Sequence, residues 1–159
     1  MENRAMSELP AQSGFNLFGF FGKGGNGQSA ILKSTTSLTA ALNGIQTNIF
    51  FADPKFNLIF ANRKAMESLR TFEGEIQKIF GVTADKMLGG SIHRFHRDPQ
   101  RIERILTNPS ALPHDAEFSF GAVTLKTQIN AVYGLDGKLL GYVVNWEDIT
   151  KQQKVEKEM

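Results

Sequence analysis

An α+β fold is what the sequence predicts: a five-stranded antiparallel sheet with short helices covering one face and a further helix flanking it on the N-terminal side. Three observations carry this. The last third alternates apolar and polar residues at the period of strands, as in Glu117, Phe118, Ser119, Phe120 and in Leu125 to Ile129. Two β-rich runs surround a proline turn at Asp53-Pro54-Lys55. Between these regions lie helical stretches too short to stand alone, punctuated by Gly74, Gly81 and Gly89-Gly90.

Taken in order, residues 1–33 read as a Gly/Phe-rich linker, because residues 10–30 mix Gly, Ser, Asn and clustered Phe with no helical or strand period. Its Phe15, Leu17, Phe18, Phe20 and Phe21 would offer a sticky contact to a partner, or none. Residues 34–46 read as an amphipathic helix: Leu38, Leu42 and Ile45 recur at helical spacing, Ser34 to Ser37 supply N-cap candidates, and the end falls near Gly44. Thr47–Asp53 and Phe56–Asn62 form the predicted hairpin. NRKAMESLR, FEGEIQKIFG and ADKMLGG follow as small helices, and SIHRFHRDPQRIERILTN carries a longer one. Pro99 sits at its first position after Asp98, and Ile102, Ile105 and Leu106 make its buried stripe. HDAEFSFG, AVTLKTQINAVYG and KLLGYVVNWEDIT are three strands joined at Gly121 and at Asp136-Gly137. On the last, Leu140, Tyr142, Val144 and Trp146 are expected to share the inner face. A sheet covered on one face encloses an apolar cleft, a standard place for a small ligand.

The bulk numbers set limits. At 159 residues, 41% hydrophobic and 21% charged, the chain can build one core, and thirteen Phe against one Trp point to a Phe-lined interior. A net charge of +2 indicates no nucleic-acid partner. The absence of cysteine excludes disulfides, thiolate metal sites and covalent haem attachment. Neither a signal peptide nor a run of the ~20 apolar residues of a membrane span is present, so a cytoplasmic location is expected. GKGGNG lacks the following Lys-Ser/Thr of a phosphate loop, and no catalytic triad or paired-acid motif stands in a supporting context; the chain is not expected to be an enzyme.

The strings ALNGIQTNIFFAD, FANRKAMESLR, MLGGSIHRFHRDPQRIERIL and DGKLLGYVVNWEDIT resemble the PAS domains of bacterial chemotaxis and aerotaxis transducers, over about Ala41 to Thr150, and in particular the soluble haem-binding group. The turn Asp136-Gly137 and the triplet Asp148-Ile149-Thr150 are common to PAS proteins at large; the pairing of Phe95-His96 with Trp146 is more specific. The resemblance implies a PAS sensor domain over residues 47–150 that binds haem b. His96 would be the proximal iron ligand and Trp146 the distal residue that hydrogen-bonds oxygen or another diatomic gas. Phe118, Leu125, Ile129 and Val144 would form the pocket wall. These roles suit the chemistry, since haem iron takes a neutral imidazole and a distal N–H donor favours bound oxygen. Arg101 and His93 stand where that group often has a second His and an acidic residue, so His93 is a competing ligand. Arg94, Arg97, Arg101 and Arg104 could steady haem propionates or form a solvated face.

Residues 151–159 (KQQKVEKEM) look like the start of a signalling helix. The resemblance implies that the signal leaves through Asp148 and Thr150 toward a downstream methyl-accepting domain, with a homodimer formed through the flanking helices. The chain would then be part of a receptor or a stand-alone regulator. A cofactor-free module for dimerisation or partner docking, and a PAS pocket for another small ligand, remain alternatives.

Overall fold

The structure, a computed structural model, describes residues 30–158, so the Phe15 to Phe21 cluster lies outside the described residues. Ala30–Lys33 form a 3-10 turn, which replaces the end of the expected linker. Helix α1 (Thr35–Gly44) begins where the Ser34 hydroxyl accepts the Ser37 N–H at 3.0 Å. It stops at Gly44, so Ile45 falls beyond it, and both Leu38 and Ile45 are exposed. The predicted apolar face is therefore shorter than the sequence suggested. Contacts divide the chain between Ala41 and Leu42, and the body described next begins at Leu42.

Strands β1 (Asn48–Ala52) and β2 (Leu58–Ala61) form the expected hairpin. Its turn is held by Asp53, whose Oδ1 accepts the N–H groups of Lys55 and Asn57, both at 2.9 Å. Such Asx geometry is why Asp opens turns. Helix α2 (Arg63–Thr71) is capped by Asn62, and helix α3 (Glu73–Phe80) ends on Gly81 at φ 70°, the left-handed cap conformation. Two 3-10 turns follow, Ala84–Met87 and Ile92–Phe95. Helix α4 (Pro99–Leu106) has Pro99 in its first turn and Asp98 as N-cap, as read from the sequence. After a turn at Pro109–Ala111 come β3 (His114–Phe120), β4 (Val123–Tyr133) and β5 (Leu139–Asp148), then helix α5 (Thr150–Glu158).

All five strands pair antiparallel in the order β2-β1-β5-β4-β3. The last strand in sequence is thus the central one, a placement that no local pattern specifies. One face packs on the small helices through Leu58, Leu69, Phe72, Ile76, Phe120, Leu125 and Trp146. A second cluster of Ala52, Leu106 and Tyr142 fills the other end.

One expectation fails. Leu140 does not share the inner face: it is 58% exposed, while Leu139 packs with Ala52 and Tyr142. The pairing jumps from Val132↔Gly141 to Tyr133↔Leu139, which leaves Leu140 as a bulge residue and reverses the alternation below it. Gly141 makes the close approach possible: at φ 150°, a Cβ there would stand 2.2 Å from the Ala52 carbonyl oxygen.

Candidate functional site

Between the sheet and the helices lies an apolar cavity of about 220 Å³. Phe118 of β3, Leu125 and Ile129 of β4, and Val144 and Trp146 of β5 all lie on its sheet wall. Cross-strand register aligns them, with Phe118 opposite Leu125 and Ile129 opposite Val144. His96 reaches the same cavity from the helical side, together with Phe95, Ile102 and Leu106. The six residues singled out from the sequence are therefore brought to one space. Tyr142, expected on the inner face, lines it too, as do Phe50, Phe80 and His114, which were not singled out. Phe50 could have been found from its parity with Ala52; Phe80 and His114 carry no local signal.

His96 follows the 3-10 turn Ile92–Phe95 and is half-buried. Its Nδ1 lies 2.8 Å from the Ile92 carbonyl oxygen. A carbonyl only accepts, so Nδ1 carries the proton and donates, and Nε2 keeps its lone pair. Burial holds the imidazole below its ordinary titration range; the Ile92 bond opposes this and nearby His93 adds to it. The ring is therefore neutral near pH 7, with one nitrogen fixed to the backbone. A backbone carbonyl bonded to the other ring nitrogen in this way sets the tautomer of metal-binding histidines.

Trp146 is 3% exposed, packed by Phe50 and Phe72 with ring centroids at 5.3 and 6.1 Å. The buried Asn48 side chain donates to its carbonyl oxygen at 3.0 Å and accepts the Ser68 hydroxyl at 2.8 Å, fixing this part of β5. Its indole Nε1 is buried with no hydrogen-bond partner. Buried indole N–H groups normally find an acceptor, so this one, on a residue that lines the cavity, is left unsatisfied by the protein.

His93 is not on the cavity wall. Its Nε2 pairs with Glu103 on α4 at 2.8 Å, and its ring lies 5.5 Å from Phe56. Arg94 is committed elsewhere too: its guanidinium donates to the carbonyls of Lys86 and Met87 and lies over the Phe95 ring. Arg97, Arg101 and Arg104 are exposed. Among the described residues no three His, Asp or Glu side chains converge as a metal site, and no helix is long and apolar enough to cross a membrane.

The end of β5 is knotted to its neighbours. The Asp148 carboxylate accepts both the backbone N–H of Thr150, at 2.9 Å, and its hydroxyl. The same hydroxyl oxygen accepts the Thr124 N–H from β4 at 3.0 Å, and Ile149 N–H donates to the Thr124 carbonyl at 2.9 Å. Gln153 on α5 donates to Glu117 of β3 at 3.0 Å. The first turn of α5 is thereby joined to three strands, two residues beyond the stretch that carries Trp146.

No family model matches the chain. A methyl-accepting chemotaxis protein, McpB of Pseudomonas aeruginosa, is 28% identical over 133 residues, which cover 83% of this chain. The chain spans only 19% of that transducer's length. Among solved structures, the Aer2 receptor from Vibrio cholerae, a dual PAS-haem oxygen sensor, is 26% identical with a TM-score of 0.61, covering 65% of this chain and 94% of that one. An RNA-binding light-oxygen-voltage receptor matches with a TM-score of 0.51 at 18% identity, covering 85% of this chain and 39% of that one, a likeness of fold alone.

Proposed function

From a chain with the PAS fold, whose sequence resembles the PAS domains of chemotaxis transducers, we propose a sensor that binds haem b and detects oxygen or another diatomic gas for chemotaxis-type signalling. The observation that carries this reading is one apolar cavity lined from the sheet by Trp146, whose buried N–H has no partner, and from the helical side by His96. The donor set suits the group. A neutral imidazole with its second nitrogen tied to a carbonyl is the form that ligates haem iron, and an apolar wall with one N–H donor suits a bound diatomic gas. Haem, when bound, supplies an iron that takes the gas. The chain's own residues do the rest: His96 holds, Trp146 donates, the Phe-rich walls exclude water, and the Asp148-Thr150 knot links β5 to α5. The Aer2 likeness supports the same reading, since that protein is a haem oxygen sensor. A downstream methyl-accepting partner and a homodimer belong to this proposal by analogy with transducers.

A second reading, a smaller apolar ligand, is favoured by the volume of about 220 Å³, below the roughly 300–1,000 Å³ usual for ligand pockets. Reconstitution with hemin separates the two. The first reading expects an intense Soret band that His96→Ala abolishes; a spectrum unchanged in that variant removes His96 as the ligand. No band in the wild type, with a small ligand retained in native mass spectrometry, turns the assignment to the second.

A further inference from the structure

We propose that His93 and Glu103 form a latch that positions His96, with Glu103 a positioning residue rather than a ligand; the proposal rests on the haem reading for its consequence and on the turn itself for its geometry. The mount of His96 is weak by itself. Ile92–Phe95 is a four-residue 3-10 turn with no fully buried residue, and the backbone bonds at its ends run from Arg94 N–H to Ser91 at 3.4 Å and from His96 N–H to His93 at 3.1 Å. The Nδ1 bond to Ile92 fixes the His96 ring to this turn, while Phe118 of β3 packs on the ring at 5.6 Å. Where the free Nε2 stands therefore depends on what anchors the turn as well as on Phe118.

Beside the packing of Phe95 on Phe80 at 5.0 Å, hydrogen bonds from three residues of the turn anchor it. Ile92 N–H donates to the Phe56 carbonyl at 2.9 Å, Arg94 reaches the carbonyls of Lys86 and Met87, and His93 Nε2 meets Glu103 at 2.8 Å. The last is the hydrogen bond that joins the turn to α4, whose Ile102 and Leu106 line the cavity beside His96 and share a hydrophobic cluster with Ile92. The His93 carbonyl accepts the His96 N–H, so a shift of His93 moves His96 directly.

His93 is costly where it stands. Its Nδ1 is buried with no partner, a burden that an apolar residue against Phe56 would not carry. What the histidine supplies in return is the bond to Glu103. That bond also keeps its Nε2 out of the cavity, which leaves His96 as the imidazole that faces it.

Glu103 is half exposed, and such pairs contribute little to global stability. The latch can thus be cut without unfolding the protein. Glu103→Ala should leave the melting temperature at its wild-type value, speed exchange of the His96 amide hydrogen about tenfold in the protein without hemin, and weaken hemin binding about tenfold. Glu103→Gln, which can still accept from His93, should restore both properties to within about twofold. His93→Phe, which keeps the ring against Phe56 but cannot bond, should behave as Glu103→Ala. Wild-type exchange and hemin affinity in Glu103→Ala, or losses that follow a lowered melting temperature, would overturn the latch. If the wild type takes up no hemin, the haem reading fails, and the amide exchange still decides the latch.

Discussion

Replacing Asn62 by alanine should cost this domain about 4 kcal/mol, working from about 1 kcal/mol for each buried hydrogen bond lost. Asn62 is fully buried, and its side chain is a junction. The Oδ1 accepts the N–H groups of Ile49 at 3.1 Å and Ala65 at 3.0 Å, while Nδ2 donates to the carbonyls of Leu42 at 3.0 Å and Thr47 at 2.8 Å. A longer contact at 3.4 Å goes to the Ile45 carbonyl. Five backbone groups thus meet one amide, drawn from the C-terminal end of α1, from the connection into β1, from β1 itself and from the first turn of α2. The bond to Ala65 is an N-cap, worth about 1 kcal/mol on its own. A loss of about 4 kcal/mol is a large share of the roughly 5–15 kcal/mol typical of a whole domain. It should lower the melting temperature by about 15 °C for a body of this size. Urea unfolding followed by fluorescence suits the measurement, because Trp146 is the single tryptophan and is buried. Asn62→Asp keeps the oxygen that accepts from Ile49 and Ala65 but turns a second oxygen toward the carbonyls, so it too should lose several kcal/mol at neutral pH. An Asn62→Ala protein within about 1 kcal/mol of wild type would refute the reasoning, since each lost bond was assigned that much.

Three further outcomes can be checked. Trp146→Phe removes the unpartnered indole N–H and keeps an aromatic ring beside Phe50 and Phe72, so hemin uptake should stay near wild type while oxygen leaves about tenfold faster, equivalent to about 1.4 kcal/mol; equal dissociation rates in stopped flow would end its distal role. Gly141→Ala should cost about 3 kcal/mol in thermal unfolding, because the new Cβ meets the Ala52 carbonyl of the paired strand and neither backbone can yield; a wild-type melting temperature would show that β1 and β5 separate freely here. Burial holds His96 below the ordinary imidazole value of about 6.5, so the unfolded chain binds the proton more readily than the folded one. This neutral His96 leaves stability intact above about pH 6.5 and erodes it as the pH falls below that value, toward the lower folded value. The urea midpoint should therefore fall more between pH 7.5 and 5.5 in wild type than in His96→Gln, and equal falls would remove the burial argument.

Local chemistry decided much of this protein in advance. The alternation around Phe118 and Leu125 defined an inner face, Asp53 and Gly81 declared a turn and a helix end, and Asp98-Pro99 announced α4, because each of these signals acts over a few residues. His96 and Trp146 were legible as residues of interest through resemblance. That His96 presents a neutral ring with Nε2 free, and that the Trp146 N–H has no acceptor, depended on the Ile92 carbonyl and on the packing of Phe50 and Phe72. The bulge that turns Leu140 outward arises from a register fixed between β4 and β5, which period-2 counting along one strand cannot see. Asn62 drew no attention in the sequence, since its partners lie 3 to 20 residues away and converge only when α1, β1 and α2 meet. His93 and Arg94 look like free candidates beside His96 in the chain; Glu103 and the carbonyls of Lys86 and Met87 remove them from the cavity. The sequence by itself thus determined the elements and the inner face, which short-range sterics and hydrophobic period dictate. The tertiary structure alone decided which polar atoms are spent on the fold and which are left unpaired, because that depends on partners brought together from distant parts of the chain.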